Sequence, residues 1–382
     1  MPTETAPWSR KNPYPAKLLV NRGLSGPYSA NDTRHYELSL ADSGLTYEAG
    51  DAVGIVESNC LNLVQEVLDA LHCTGDELVP DGAGEPKRLR EALWKDIAIT
   101  KPSTQFLHAL VEKADGSAPF LRDLLLPDQK EALEHYLEGL HIVDLLEEHP
   151  SARFTAEEFV KTLRKLTPRL YSIASSSKLH PKQVHLTIAT VRYESHGRLR
   201  KGVASTYMAE RVAVGAVVPI FFHVAKGFRL PEDGNTPIIM VGAGTGIAPY
   251  RAFLQERIVT GAKGGNWLFF GDQREKEDFL YREEWEKMLA DCTLTRLHTA
   301  FSRDQEEKIY VQHRMLENAA EIWKWLEEGA HFFVCGDASR MAKDVHAALH
   351  RIIETEGHKT PEKAAEYLEA MEKTKRYKRD VY

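Results

Sequence analysis

Between Val241 and Pro249 the chain reads Val-Gly-Ala-Gly-Thr-Gly-Ile-Ala-Pro, with Gly242, Gly244, Thr245 and Gly246 packed into five positions. The run follows four apolar residues, Ile238 to Val241, and precedes the helix-like Tyr250 to Ile258. Glycines at such a turn let the backbone approach a pyrophosphate, and the start of the next helix adds amide donors and a favourable dipole. Pro249 suits a first helical turn, where a missing N–H costs nothing. No Lys-Ser/Thr pair follows, so the turn is not a P-loop. Read alone, the same residues would equally serve a tight strand-to-helix turn with no ligand.

Four further sets carry chemistry. Arg169, Leu170, Tyr171 and Ser172 form one, and Gly202, Val203, Ala204, Ser205 and Thr206 follow about thirty residues later. Ser302 and Arg303, with Lys308, Tyr310 and Gln312 just downstream, put two cations and two hydroxyls where a ribose 2′-phosphate could sit; a solvated charge run is the plain alternative. Cys335 and Asp337 follow the apolar run His331 to Val334, which puts a thiol at a strand's C-terminal end, although a lone cysteine is more often buried filler. The chain ends Arg379-Asp380-Val381-Tyr382.

The Arg-x-Tyr-Ser set and the Gly-Val-x-Ser turn at that distance resemble the ferredoxin–NADP reductase superfamily. That resemblance implies FAD and NADPH as cofactors. Arg169 would pair with phosphate, Tyr171 would stack on the isoalloxazine, Ser172 would hydrogen-bond its redox nitrogen, and Gly202 to Ser205 would open a helix at the pyrophosphate. Cys335 would lie beside the nicotinamide, and Tyr193 is similar to the adenine-stacking tyrosine. The helical insertion described below and the terminal tyrosine resemble the diflavin branch, in which the final aromatic covers the flavin and moves aside for nicotinamide. Ser172, Cys335, Asp380 and Tyr382 are therefore the expected catalytic residues, with no metal. The Arg-Tyr-Lys-Arg-Asp-Val-Tyr ending is most similar to the flavoprotein subunits of NADPH sulfite reductases. This implies single-electron transfer to a protein acceptor, either a sulfite reductase hemoprotein or a flavodoxin- or ferredoxin-like carrier.

The elements that must hold these residues are legible as periodicities. His35 to Leu40, Leu45 to Val56, Val184 to Val191 and Val212 to Val224 read as strands. Between them Leu61, Val64, Val67, Leu68 and Leu71 recur at helical spacing, as do Phe154, Phe159, Leu163 and Leu166. From Thr236, short apolar runs alternate with helical stretches, in one of which Met315, Leu316, Ala319, Ile322, Trp323 and Leu326 share a face. The expected fold is an antiparallel FAD-binding β-barrel (1–58 and 167–232) with a helical connecting insertion (59–166), followed by a doubly wound parallel-sheet α/β domain that binds NADP (233–382).

A formal net charge of −7 argues against general nucleic-acid binding. No apolar run approaches the roughly 18–20 residues that span a bilayer. Met1 to Lys17 has no apolar signal core, and the four cysteines lack metal or CxxC spacing, which points to a cytoplasmic protein with reduced thiols. Fewer than twenty residues, read as an unstructured lead-in, precede the first barrel strand, so an FMN domain is expected to be missing, by truncation or by nature. Two other functions fit: a ferredoxin- or flavodoxin-NADP reductase unrelated to sulfur, and a non-catalytic assembly subunit.

Overall fold

The computed structural model describes residues 8–80 and 86–382; the first seven residues of the expected lead-in lie outside them. Strands β1 (Tyr14–Gly23), β2 (Asp32–Ser39) and β3 (Ala52–Ile55) precede a mainly helical segment that holds the short strands β4 (Leu78–Pro80) and β5 (Pro86–Arg88). β6 (Arg169–Ser172), β7 (Gln183–Thr190), the hairpin β8 (Arg192–Ser195) and β9 (Arg198–Lys201), and β10 (Val217–His223) follow. The last five are β11 (Ile238–Ala243), β12 (Asn266–Asp272), β13 (Arg296–Phe301), β14 (His331–Gly336) and β15 (Tyr377–Val381).

These elements gather into two compact units. The first comprises the described residues up to Ile55, with Leu170–Thr190 and Val212–Tyr382. It contains the barrel sheet, ordered β6-β3-β10-β1-β2-β7. β1 pairs antiparallel with β10 and β2, β10 with β3, and β2 with β7. A bridge between Ile173 and Leu186 joins the two ends and closes the sheet. Period-two alternation turns Tyr36 and Leu38 inward against Leu186 and Val184, their register partners. Only Ala52–Ile55 of the expected strand over 45–56 is paired. Gly50 breaks it: its φ is +100°, and a Cβ there would lie 1.9 Å from the Phe228 carbonyl oxygen.

The same unit carries the parallel sheet β13-β12-β11-β14-β15. Alternate residues of its central strands feed two separate cores, as a sheet covered on both faces requires. Ile239, Val241, Phe269 and Phe332 pack on one side; Ile238, Met240, Phe270 and Phe333 pack on the other. The Met315-to-Leu326 stretch is two helices, Val311–Glu317 and Ala319–Glu327, rather than one. Asn318 separates them at φ −115°, ψ 24°, its side-chain amide donating to the Arg314 carbonyl.

The second unit is Val56–Arg169 with Val191–Arg211. Val64, Leu68, Phe106, Leu110, Ile142 and Phe159 lie in its core. Its helices begin where the sequence supplies caps: Ser103 accepts from the Phe106 amide, and Thr155 and Glu158 form a reciprocal capping box. The β8–β9 hairpin, placed in the barrel by sequence, groups with this helical unit. Asp144 is the reason: it accepts from the His141 amide and from the guanidinium groups of Arg198 and Arg200. The Asp144–Arg200 pair is buried on both sides. Removing one partner strands the other without water, a loss of about 3–5 kcal/mol. Asp144→Ala is therefore expected to shift urea unfolding of the chain to markedly lower denaturant. A transition coincident with wild type would show that the pair contributes no net stability.

Candidate active site

In the first unit, the glycine turn lies at the end of the central strand β11. Gly242 and Gly246 are required sterically: a Cβ on Gly242 would sit 2.8 Å from the Tyr250 ring and 3.0 Å from the Gly246 carbonyl oxygen. One on Gly246 would sit 2.2 Å from the carbonyl oxygen of Cys335. Gly244 has φ +55°. The turn winds one 3-10 stretch, Gly244–Ile247, into the helix Ala248–Thr260, with Pro249 in its first turn. No acidic residue occupies that first turn.

Ser172, Cys335 and Asp380 converge, although 208 residues separate the first from the last. Ser172 Oγ donates to Asp380 Oδ2 at 2.7 Å, and Cys335 Sγ lies 3.9 Å from the same oxygen. β14 and β15 pair Cys335 with Asp380 in register, which is what aligns them. Cys335 is fully buried, and burial together with the Asp380 charge pushes its thiol well above the ordinary range. It stays a neutral thiol, not a thiolate nucleophile.

Tyr382 is 53% exposed but not frayed. Its amide donates to the Gly336 carbonyl, its carbonyl accepts from Ala338, and its hydroxyl lies 2.7 Å from Thr245 Oγ1 of the glycine turn. Ser302 and Arg303 follow β13, their amides held by the carbonyls of Asp272 and Gln273. Arg303, Lys308 and Tyr310 are exposed, and Tyr310 caps the helix Val311–Glu317. Gln312 donates to Asp344 at 3.3 Å. Asp337 is occupied locally: its carboxylate accepts from the Ser339 hydroxyl and the Arg340 and Met341 amides, so it caps the helix Met341–Thr355.

Two groups that the motif reading left out also belong here. Arg251, in the helix that leaves the glycine turn, donates to the Ala174 carbonyl and makes a bidentate pair with Glu284. Gln255 and Glu256 bind the amide and hydroxyl of Ser176. Helical spacing from the turn was the available signal, since residues 251 and 255 share a face.

In the second unit, Arg169 is exposed and its amide lies 3.4 Å from Glu57 Oε2. Tyr193 is 43% exposed on β8, directly across from Arg200 on β9. The Gly202 amide donates to Val191, and the hydroxyl of Ser205, a buried residue, accepts from the Val191 amide, which closes the turn on itself. A Cβ on Gly202 would strike Ser205 Oγ at 2.7 Å and Val191 Cβ at 2.8 Å. Val203 lines a cavity of about 500 Å³ with Asn59, Arg200, Lys201 and Arg211. A second, of about 990 Å³, lies along Tyr193, Gly139 and Lys101. Ala204 is buried, whereas Leu170, in the first unit, is exposed.

Residues 6–207 match the family model for an FAD-binding domain. The chain belongs to the FAD-binding domain family. Residues 240–347 match an oxidoreductase NAD-binding domain. The chain is 47% identical over its whole length to the sulfite reductase [NADPH] flavoprotein alpha-component of Bacillus subtilis (strain 168) and 46% identical to that of Vibrio cholerae (strain N16961). It spans 63% and 61% of those two proteins. Among the described residues no helix is long and apolar enough to cross a membrane.

The residues of the FAD-binding domain fit a flavin nucleotide in chemical type. The Gly202 backbone is bare by steric necessity, Tyr193 offers an accessible ring, and Arg200 Nε is a buried donor with no acceptor among the described residues. Glu57 lies beside these cations. Burial raises its carboxyl to about 7, against hydrogen bonds from its own amide and the Arg169 amide and the charges of Arg169 and Arg211. A raised acid binds protons more tightly when folded, so its contribution is intact below pH ~4.5 and is lost as pH rises through about 7. In the flavin-free chain, Glu57→Gln should add on the order of 3 kcal/mol at pH 8 and under about 1 kcal/mol at pH 5. Denaturant titrations at the two pH values check this, and equal gains at both would show that Glu57 does not titrate there.

Proposed function

We propose that this chain is an NADPH-dependent flavoprotein oxidoreductase that passes electrons to a protein acceptor, a sulfite reductase component. The carrying observation is the convergence of Ser172, Asp380 and Cys335 next to the glycine turn. FAD, when bound, supplies the chemistry that turns a two-electron donor into one-electron steps. The protein residues bind, orient and handle protons. Arg169 and Gly202 to Ser205 are assigned to the flavin pyrophosphate, Tyr171 to the ring, and Tyr193 to adenine. Ser172 Oγ would hydrogen-bond the flavin's reacting end, oriented by Asp380, whose Oδ2 can hold a proton shared with it. Cys335 stays neutral and gives the nicotinamide an apolar, non-nucleophilic wall. The glycine turn takes the dinucleotide pyrophosphate; Ser302, Arg303, Lys308 and Tyr310 take the 2′-phosphate, and Gln312 flanks them. Asp337 supports the site by fixing its helix.

The 2′-phosphate assignment is tested by Arg303→Ala. It should weaken NADPH by roughly 1.5–3 kcal/mol, the value of a charge-assisted hydrogen bond, and barely affect NADH. Equal losses for the two dinucleotides would make the arginine structural.

Tyr382 is assigned to gating. With FAD bound, its ring would cover the flavin and would have to move aside for nicotinamide, at the cost of the hydroxyl contact with Thr245. NADPH can offset that loss through its 2′-phosphate contacts, whereas NADH cannot. Tyr382→Ala should therefore raise NADH affinity and lower the NADPH/NADH ratio of kcat/KM. Tyr382→Phe, which keeps the ring and removes the hydroxyl that meets Thr245, should fall between the two. Ratios unchanged from wild type in both variants would leave the tyrosine without a gating role.

A further inference from the structure

Asp272 closes β12, the strand beside β11, and so stands on the C-terminal rim where open α/β sheets take their ligands. A Cβ built on Gly244 would lie 4.0 Å from its Oδ2, which puts that oxygen against the glycine turn. Its other oxygen accepts the Gln273 amide at 2.8 Å. Its main-chain carbonyl accepts the Ser302 amide at 2.9 Å and the Ser302 hydroxyl at 3.3 Å. The residue thus joins the turn to the Ser302–Arg303 loop, with its free oxygen on the dinucleotide side.

Arg274 and the short helix Glu275–Asp278 after it are charged throughout, but of these groups only Asp278 bears on the Asp272 carboxyl. Arg303 and Asp304 lie on the loop after β13. The turn Gly244–Ile247 carries no charge, and the Tyr382 hydroxyl meets it at Thr245. Burial, with the Asp278 charge, pushes the Asp272 carboxyl up to about 7; only the Gln273 amide opposes this. Ionised, the carboxylate would repel a pyrophosphate on the turn; neutral, it has a proton to donate.

We propose that Asp272 is a further dinucleotide-binding residue that works in its neutral form, donating from Oδ2 to a pyrophosphate oxygen, so that NADP⁺ binding takes up one proton from solvent. The proposal rests on the reading of the glycine turn as the dinucleotide site.

Calorimetric titration of the flavin-loaded chain with NADP⁺, in two buffers of different ionisation enthalpy, counts the protons exchanged. At pH 8 about 0.9 proton should be taken up per NADP⁺, with Kd rising about five-fold from pH 7 to pH 8; at pH 6 the excess uptake over Asp272→Asn should fall to about 0.1. The ligand's 2′-phosphate, with a pKa near 6, is ionised at pH 8 whether free or bound and does not enter the count. Asp272→Asn keeps a donor without the titration, so its uptake at pH 8 should vanish and its Kd should stay flat. Saturable binding by wild type with no proton uptake at pH 8 overturns the proposal and leaves the dinucleotide site standing. Equal uptake in Asp272→Asn also overturns it. No saturable NADP⁺ binding at any pH overturns the site itself, and the proposal with it. If the variant is not recovered folded, the wild-type count decides alone.

Discussion

Tyr377–Val381 is a polar strand in an apolar sheet, and it holds its place because its backbone pairs with β14 from Phe332–Tyr377 to Gly336–Val381. Only Tyr377 contributes a large apolar side chain, buried against Phe332. Lys378 is tied down by its ammonium, which donates to the Arg229 carbonyl and lies over the Phe333 ring. That register places Asp380 against Cys335 and carries Tyr382 to the glycine turn. A one-residue slip would turn Asp380 to the opposite face, away from Ser172, and would separate every group assigned to the nicotinamide end.

The same strand pair limits what the turn can be. Gly246 comes so near the Cys335 carbonyl that any side chain would collide with backbone, which cannot move aside. The turn and the cysteine are thus one packed unit. Cys335 contributes volume and neutrality, since burial and Asp380 both oppose its ionisation. If the site receives nicotinamide as assigned above, a thiol held neutral does not compete there as a nucleophile.

The glycine turn, the Arg-x-Tyr-Ser strand and the alternating apolar runs are legible in the sequence because each signal is local. Glycines at fixed offsets and period-two or period-3.6 patterns need no partner to be recognised. β15 reads only as a tail, since Tyr-Lys-Arg-Asp-Val has no apolar run and gains its strand from β14. The grouping of the β8–β9 hairpin with the helical unit is hidden for a similar reason: it depends on Asp144, which lies about fifty residues from the arginines it binds. Asn318 disappears inside a periodic pattern because one side-chain bond to Arg314 ends the helix without interrupting the spacing. Asp272 follows an apolar strand like many loop acids, and only the neighbouring turn gives it meaning.

What sets the turn relative to Ser172 is a buried polar cluster. Arg251 sits one turn into the helix that leaves the glycines, and it donates to Ala174, two residues beyond Ser172. It also lies 3.2 Å from His185 Nδ1. A guanidinium has only donors, so Nδ1 accepts and the His185 proton resides on Nε2. His35 is arranged alike, its Nε2 facing Glu37 and its Nδ1 the Tyr281 hydroxyl. Burial, aided by Arg251, lowers the two imidazoles, His35 to about 3 and His185 to about 2, so both stay neutral. His35, Glu37 and His185 lie close enough together to suggest a metal centre. Yet both Nε2 atoms carry protons, and the guanidinium beside them opposes a second cation. The cluster is instead a hydrogen-bonded brace: neutral histidines accept from Arg251 and Tyr281, Glu284 balances the arginine's charge, and the helix carrying the glycine turn is fixed to the barrel wall that carries Ser172.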